Sequence, residues 1–273
     1  MISIIIPCYN HEKYIKKTLD SILEDDFEDK EIVIIDDGST DNSPKVISNW
    51  VEQNKDKISI TYKHRPNKGL NRTLNELLSL TKGEYIVDIG SDDFLLKGGL
   101  RTRYEFMKKH PDIDVLISDA IVVDAEGNTI SDSILFDFRG YEKEQFKDQE
   151  TIKNTLFRRF ATAGAIYMTK REFFDKIGYY DEELLAEDLE FSIKALGLGK
   201  VAFLDEKVSA YRVHDTNQSI GNIKPKLLGD SAKAFYRNMH LFPLKDKPIM
   251  LWNIFKFLVR EKLLQLKLLF KKN

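Results

Sequence analysis

Residues 1–39 read MISIIIPCYNHEKYIKKTLDSILEDDFEDKEIVIIDDGS, and their pattern decides the fold. Ser3–Pro7 is a short β-branched run closed by proline, the signature of a buried strand. Asn10 is placed to cap a helix whose apolar face is Ile15, Leu19, Ile22 and Leu23, at helical spacing. Ile32–Ile35 is a second buried strand, ending at Asp36-Asp37-Gly38-Ser39. Strand, helix, strand implies a right-handed crossover and parallel pairing. The alternation continues. Val46, Ile47, Trp50 and Val51 mark a helix, Ile58–Tyr62 a strand, and Leu70, Leu74, Leu77 and Leu78 a helix. Tyr85–Ile89 is a fourth strand, ending at Gly90-Ser91-Asp92-Asp93. The expected fold is therefore α/β, Rossmann-like, with a mostly parallel central sheet flanked by helices. In such sheets ligands gather at the carboxyl ends of the strands. Pro7-Cys8-Tyr9-Asn10, Asp36–Ser39 and Ser91-Asp92-Asp93 all fall there.

Beyond residue 100 the pattern is less regular. Asp114–Ser118, Ile121–Asp124, Ala165–Met168, Val201–Leu204 and Val208–Arg212 read as strands. Lys170–Lys176 and Ala186–Leu196 read as helices, 131–150 as loop, and the chain from about Lys224 as helical. The expected organisation is one domain of two halves, 1–100 and 101–220, followed by a helical tail (221–273). Of 273 residues, 42% are hydrophobic and 32% charged, an ordinary globular balance. The single cysteine, Cys8, rules out an internal disulfide and a C-x-x-C zinc site and suits a reducing compartment. The N-terminus lacks the pattern of a signal peptide, and no window is apolar enough to predict a spanning helix.

Each polar motif has two readings. Asp92-Asp93 at a buried strand end suits a hard divalent cation, Mn²⁺ or Mg²⁺, with the second carboxylate on a ribose or on the metal shell; equally, adjacent acids open helices. Asp37 can accept the N–H of a pyrimidine base beside the permissive Gly38, while Ser39, Thr40 or Asp41 can simply cap the next helix. Tyr9 can stack on a base or roof the core. Glu187-Asp188 offers a general base at a helix start, where acids are favoured in any case. In Tyr211-Arg212-Val213-His214, strand alternation puts Arg212 and His214 on one face, where they can meet phosphate and metal or form an ordinary polar face.

In order along the chain, SIIIPCYNHEKYIKKTLDSIL, EIVIIDDGSTDNS, NKGLNRTLNELLSLTKGEYI, SDDFL, GYYDEELLAEDLEF and YRVH resemble the family 2 inverting glycosyltransferases of the GT-A fold, over roughly residues 1–220. The resemblance implies that Pro7, Tyr9, Asn10 and Asp37 hold the nucleotide base, that Asp92 and Asp93 form an Asp-x-Asp-like metal and ribose site, that Asp188 is the catalytic base, and that His214 sits near the diphosphate and metal. Two departures stand out. Gly90 replaces the first acid of the Asp-Ser-Asp-Asp string common in relatives, leaving open which Asp holds the metal. Thr73-Leu74-Asn75 stands where many relatives have Ala-Arg-Asn, so Asn75 is kept and the cation falls to Lys68 or Arg72. Glu187 and Arg212 would support the acceptor side, with Gly164 a candidate for its lining beside Arg158 and Arg159.

The expected reaction moves a sugar from a nucleoside-diphosphate donor, most often UDP-linked, to a hydroxyl of a cell-envelope glycan or lipid-linked acceptor. A non-catalytic sugar-nucleotide-binding module is the main alternative. A nucleotidyltransferase would show a glycine-rich basic loop that HEKYIKK lacks, and a hydrolase would need no acceptor. Net charge is −2, but residues 245–273 carry eight cations and two acids, leaving the body at −8. An acidic body argues against nucleic acid as a partner. The apolar, cation-bearing run 249–270 predicts a helix that lies on a membrane surface, packs on the catalytic domain or joins a homodimer. The expected location is cytoplasmic, peripheral at the inner face of the cell membrane.

Overall fold

A computed structural model describes residues 1–160, 164–215, 217 and 224–270. The first half follows the sequence pattern closely. Strand β1 (Ile2–Cys8) leads to α1 (Ile15–Glu24), β2 (Lys30–Asp36), α2 (Ser43–Asn54), β3 (Ser59–His64), α3 (Leu70–Leu80) and β4 (Tyr85–Asp88). β3, β2, β1 and β4 lie side by side and parallel. β1 and β2 are apolar on both faces because helices cover both, which is why they read as continuous Ile/Val runs.

A two-residue strand β5 (Phe94–Leu95) then precedes α4 (Gly99–Lys109). Asp92-Asp93 therefore does not open a helix, and that reading fails. Next come β6 (Val115–Val123), β7 (Thr129–Ser131), α5 (Gln149–Arg158), β8 (Tyr167–Lys170), α6 (Arg171–Ile177), α7 (Glu187–Leu198), β9 (Val201–Arg212), α8 (Pro225–Asn238) and α9 (Lys247–Phe270). Among the described residues the sheet has nine strands in the order β3-β2-β1-β4-β8-β6-β9-β5, with β7 on β6. β8 is antiparallel to both neighbours, so the sheet is mixed beyond β4.

Several sequence expectations change here. The two strands expected at 114–124 form the single β6, and those at 201–212 form the single β9. β6 and β9 pair in parallel through register shifts at Asp119, which let both run on past a bulge. The expected loop 131–150 contains a short π-helical turn at Ile134–Phe138 and a 3₁₀ turn at Lys143–Phe146. Asn10 does not cap α1, which starts at Ile15 after Tyr14. Ser39, Thr40 and Asp41 do not occupy the cap position of α2, which is Asn42. Two apolar clusters fill the two sides of the sheet: one under α1, α2 and α4, the other joining α3, α5, α7, α8 and part of α9.

Candidate active site

The parallel register sets Cys8 beside Asp36 and Asp36 beside His64, so the loops after β1, β2 and β3 converge. Asp36 is fully buried and accepts from the Ser39 amide (2.9 Å) and faces His64 Nδ1 (2.9 Å). Asp37 accepts from the amides of Lys68 (2.8 Å) and Gly69 (2.9 Å) and pairs with Arg65. Arg65 also reaches Glu76 (2.8 Å) and Thr73 (2.9 Å). A Cβ on Gly38 would lie 2.5 Å from the Asn67 amide, and its φ is +75°, so only glycine lets loop 65–69 close on the β2 turn. Asn10 sits at φ 57° and accepts from the Thr40 amide (2.8 Å), joining the β1 and β2 loops. Pro7 is partly buried, and the Tyr9 ring is left 45% exposed beside them.

The cation expected from Lys68 or Arg72 is differently arranged. Arg65, not singled out from sequence, is the guanidinium on Asp37. Lys68 has an exposed side chain and contributes its amide. Arg72 is exposed and pairs with Glu182 (2.9 Å). Asn75 donates to the Tyr180 carbonyl and accepts from its amide, both at 2.9 Å. Arg72 and Asn75 thus tie α3 to segment 180–184 instead of joining the loops around Asp37.

At the end of β4 the chain turns through Gly90–Asp93, held by a bond from the Asp93 amide to the Gly90 carbonyl (3.1 Å). Thr18 of α1 donates to the carbonyls of Ser91 (3.0 Å) and Asp93 (2.6 Å), locking the turn to the first crossover. The two aspartates then diverge. Asp92 Oδ2 lies 3.0 Å from His214 Nε2, 3.3 Å from Asn217 Nδ2 and 4.0 Å from His11 Nε2. His11, Asp92 and His214 each offer one ligand atom, and all three atoms lie within 4.8 Å of one another. His11 is oriented by Ser91 Oγ at its other nitrogen (2.7 Å). Burial holds His11 below the ordinary histidine range, which favours the neutral, metal-binding imidazole. Burial pushes Asp92 up, but the hydrogen bond from His214 and the nearby His11 outweigh it and hold the carboxyl low.

Asp93 has another task. Its Oδ1 accepts from the Arg212 amide (2.8 Å), and burial beside Asp92 raises its carboxyl well above the usual range. The Arg212 guanidinium donates to the carbonyls of Asp92 (2.8 Å), Asp124 (3.0 Å) and Ala125 (3.0 Å) and lies over the Tyr14 and Phe94 rings. Buried and held by these partners, Arg212 is a brace that fixes β9 against the Asp turn. Its Nε and Nη1 are taken up by these carbonyls, beside the expectation that Arg212 meets a phosphate. Asp93 Oδ1 thus supports the turn, while the ligand atoms gathered among the described residues are those of His11, Asp92 and His214.

Gly90 explains the missing acid. A Cβ there would fall 2.6 Å from Asp92 Oδ1 and 3.2 Å from Asp93 Oδ2. Glycine leaves room for Asp92 to curl toward His214.

The second acidic group surrounds the start of α7. Glu187 and Asp188 occupy its first turn. Segment 181–185 is anchored by Asn71, which donates to the carbonyls of Asp181 (2.6 Å) and Leu184 (2.9 Å), and by Asp230, which accepts from the Leu185 amide (3.1 Å). Burial pushes Asp188 up to about 6. Burial and the charge of Asp188 push Glu187 up to about 8. Asp88, at the end of β4, is pushed to about 8 by burial and by Asp188. Gly164 borders this group, since its nearest neighbour toward a Cβ is Asp88 Oδ2 at 3.8 Å. Asp88 lies two residues before Gly90, in a strand read from sequence only for its apolar character. The charge of Asp88 also reaches Asp93, so the acids run as one track from Asp188 through Asp88 to the Asp turn. Arg158 ends α5, and Arg159 stacks on Tyr141.

This assembly can bind a base between loops, hold a divalent cation beside it and accept a proton at a helix start. Residues 3–178 match the family model described as glycosyl transferase family 2. The chain belongs to that family. A relative from Methanocaldococcus jannaschii, an uncharacterised glycosyltransferase, is 26% identical over 260 residues, covering 93% of this chain and 85% of the relative. The poly(ribitol-phosphate) β-N-acetylglucosaminyltransferase TarS of Staphylococcus aureus is 28% identical over 216 residues, covering 77% of this glycosyltransferase but only 35% of TarS. Among solved structures, S. aureus TarS residues 1–349 in complex with UDP-GlcNAc superimposes with a TM-score of 0.68 at 21% identity, covering 94% of this chain and 80% of that one. The mannosyltransferase PcManGT of Pyrobaculum calidifontis, in complex with GDP-Man and Mn²⁺, gives 0.66 at 18% identity, covering 96% and 73%. These likenesses establish the GT-A fold.

Proposed function

We propose that this glycosyltransferase moves a sugar, with inversion, from a UDP-linked donor to a hydroxyl of a cell-envelope or lipid-linked glycan. The observation that carries the reading is the gathering of His11, Asp92 and His214 ligand atoms within 4.8 Å of one another at the ends of β1, β4 and β9, a Mn²⁺-type donor set. One carboxylate and two imidazoles suit Mn²⁺ better than Mg²⁺, which prefers oxygen alone. Asp92, His214 and His11 would hold the ion, which draws charge from the departing diphosphate when bound. The loops around Tyr9, Asn10 and Asp37 would take the base, with Tyr9 stacking on it and Asp37 preserving the loop that frames it. The likeness to TarS, a poly(ribitol-phosphate) β-N-acetylglucosaminyltransferase, supports a UDP-sugar donor and a polymeric acceptor.

Asp188 would receive the acceptor proton. The acceptor oxygen bonds to the anomeric carbon, the bond to the diphosphate breaks, and its electron pair leaves with the diphosphate. With Asp188 at about 6, most of it is ionised at neutral pH, where a general base works best. Glu187 and Asp88, at about 8, stay largely protonated and can hydrogen-bond the acceptor as neutral acids.

Thermal unfolding with UDP and GDP, each with and without Mn²⁺, tests the donor site. Ligand at about 100 times its dissociation constant adds about 2.7 kcal/mol, or roughly 5 °C for a chain of this size. A shift with UDP that requires Mn²⁺ is expected; no shift with either nucleotide would remove the donor-site assignment. Asp188→Asn should then cut turnover by about 10²–10⁴-fold with the nucleotide shift intact. Loss of both together would show that Asp188 serves binding instead.

A further inference from the structure

Helix α9 has two apolar faces. The inner one packs on α5 and α8: Met250 and Asn253 are buried, Asn253 donates to the Phe157 carbonyl (2.6 Å), and Phe257 stacks on Phe235. That packing is complete enough to hold the helix on the domain. The outer face carries Trp252, Phe255, Val259, Leu263 and Leu266 at helical spacing, and all are exposed, Trp252 by 60% and Phe255 by 57%. A 24-residue helix is about 36 Å long, so this is an extended apolar strip of a kind that soluble surfaces seldom leave bare.

Charge identifies what covers it. Lys256, Arg260 and Lys267 lie along one edge of the strip, and Lys262 lies along the other. The only acid of α9, Glu261, is on the inner side, against Gly229 and hydrogen-bonded to Gln265 (3.1 Å). A second copy of the chain would bring like charges together with no acid of α9 to answer them. No helix among the described residues is long and apolar enough to cross a membrane. An apolar strip edged by cations alone fits an interface of anionic headgroups over acyl chains.

We infer that the outer face of α9 docks on an anionic lipid surface, with Trp252, Phe255 and Val259 immersed at headgroup level and Lys256, Arg260 and Lys267 on the lipid phosphates. The helix thus lies flat on the bilayer while its other face holds the catalytic domain. This inference is independent of the sugar-transfer reading.

The test uses the full chain with vesicles of phosphatidylcholine alone or containing about 30% phosphatidylglycerol. Trp50 is buried and Trp252 exposed, so a blue shift in emission reports α9 alone. Co-sedimentation and a blue shift are expected with the anionic vesicles only. Each cation near such a surface contributes about a fivefold factor, so the triple substitution K256Q/R260Q/K267Q should weaken partitioning by about 100-fold. F255E/V259E should abolish it. Both changes fall outside the buried core, so unfolding temperature and the UDP–Mn²⁺ shift should be retained, separating this outcome from failure of the donor site. Protein that stays in the supernatant, or that binds neutral vesicles equally well, would overturn the inference. So would a dimer seen by light scattering that F255E/V259E dissolves, since a second copy would then be the occupant.

Discussion

Asp88 offers a direct test of the acidic track. Its carboxyl is pushed up to about 8 by burial and by Asp188, against the ordinary 3.8. Between those two values the unfolded chain has lost the proton and the folded chain keeps it. The folded state therefore binds more protons, and stability falls as pH rises through this window. From pH 5 to pH 8 the interval is about three units at about 1.36 kcal/mol each, or roughly 4 kcal/mol. Asp88 shares its protons with Glu187 and Asp188, so a realistic range is about 2–4 kcal/mol. Asparagine matches the shape and neutrality of the protonated acid. Asp88→Asn should thus stabilise by about 1–2 kcal/mol at pH 5, which already lies above 3.8, and by a further ~2–4 kcal/mol at pH 8, so that the gap between the two metal-free unfolding midpoints widens by roughly 4–8 °C over this range. Paired unfolding curves of the two proteins across pH 5–8, in chelator, measure the difference. A gap that does not widen with pH would show that Asp88 is ionised in the folded protein and is not raised by Asp188.

Other expectations follow from the same geometry. His11→Ala should weaken the Mn²⁺-dependent part of the UDP thermal shift by about tenfold in apparent metal affinity, with the metal-independent part unchanged. Gly90→Asp, which restores the acid common in relatives, should lower the Mn²⁺ response and turnover, because its Cβ displaces Asp92 from His214; a gain in activity would refute this. Arg65→Ala strips Asp37 and Glu76 of their partner and should cost about 1–3 kcal/mol in urea unfolding while weakening UDP binding. Turnover limited by the chemical step should rise with pH through about 6, as Asp188 loses its proton; a profile flat from pH 5 to 7 would remove it as the base.

Much of this protein is written locally in the sequence. β1 to β4 and α1 to α3 follow from β-branched runs and helical spacing, because both faces of those strands are covered and each helix presents one stripe to the sheet. The polar motifs fall at strand ends for the same reason, and their order along the chain was enough to reach the family. Tertiary structure decided which side chains meet. His214 reaches Asp92 across 122 residues and the Arg212 amide reaches Asp93 across 119, so no local period could separate the Asp that faces the histidines from the Asp that braces β9. Nothing in the sequence pattern singles out His11; Ser91 and the fold set its ring beside Asp92. β9 looked like two strands because Asp205–Lys207 is exposed and polar, yet pairing with β6 carries the backbone through. The tail's cations and apolar residues were plain in sequence. Which of them face α5 and α8, and which face outward, was fixed only when α9 packed and one of its two apolar faces was left over.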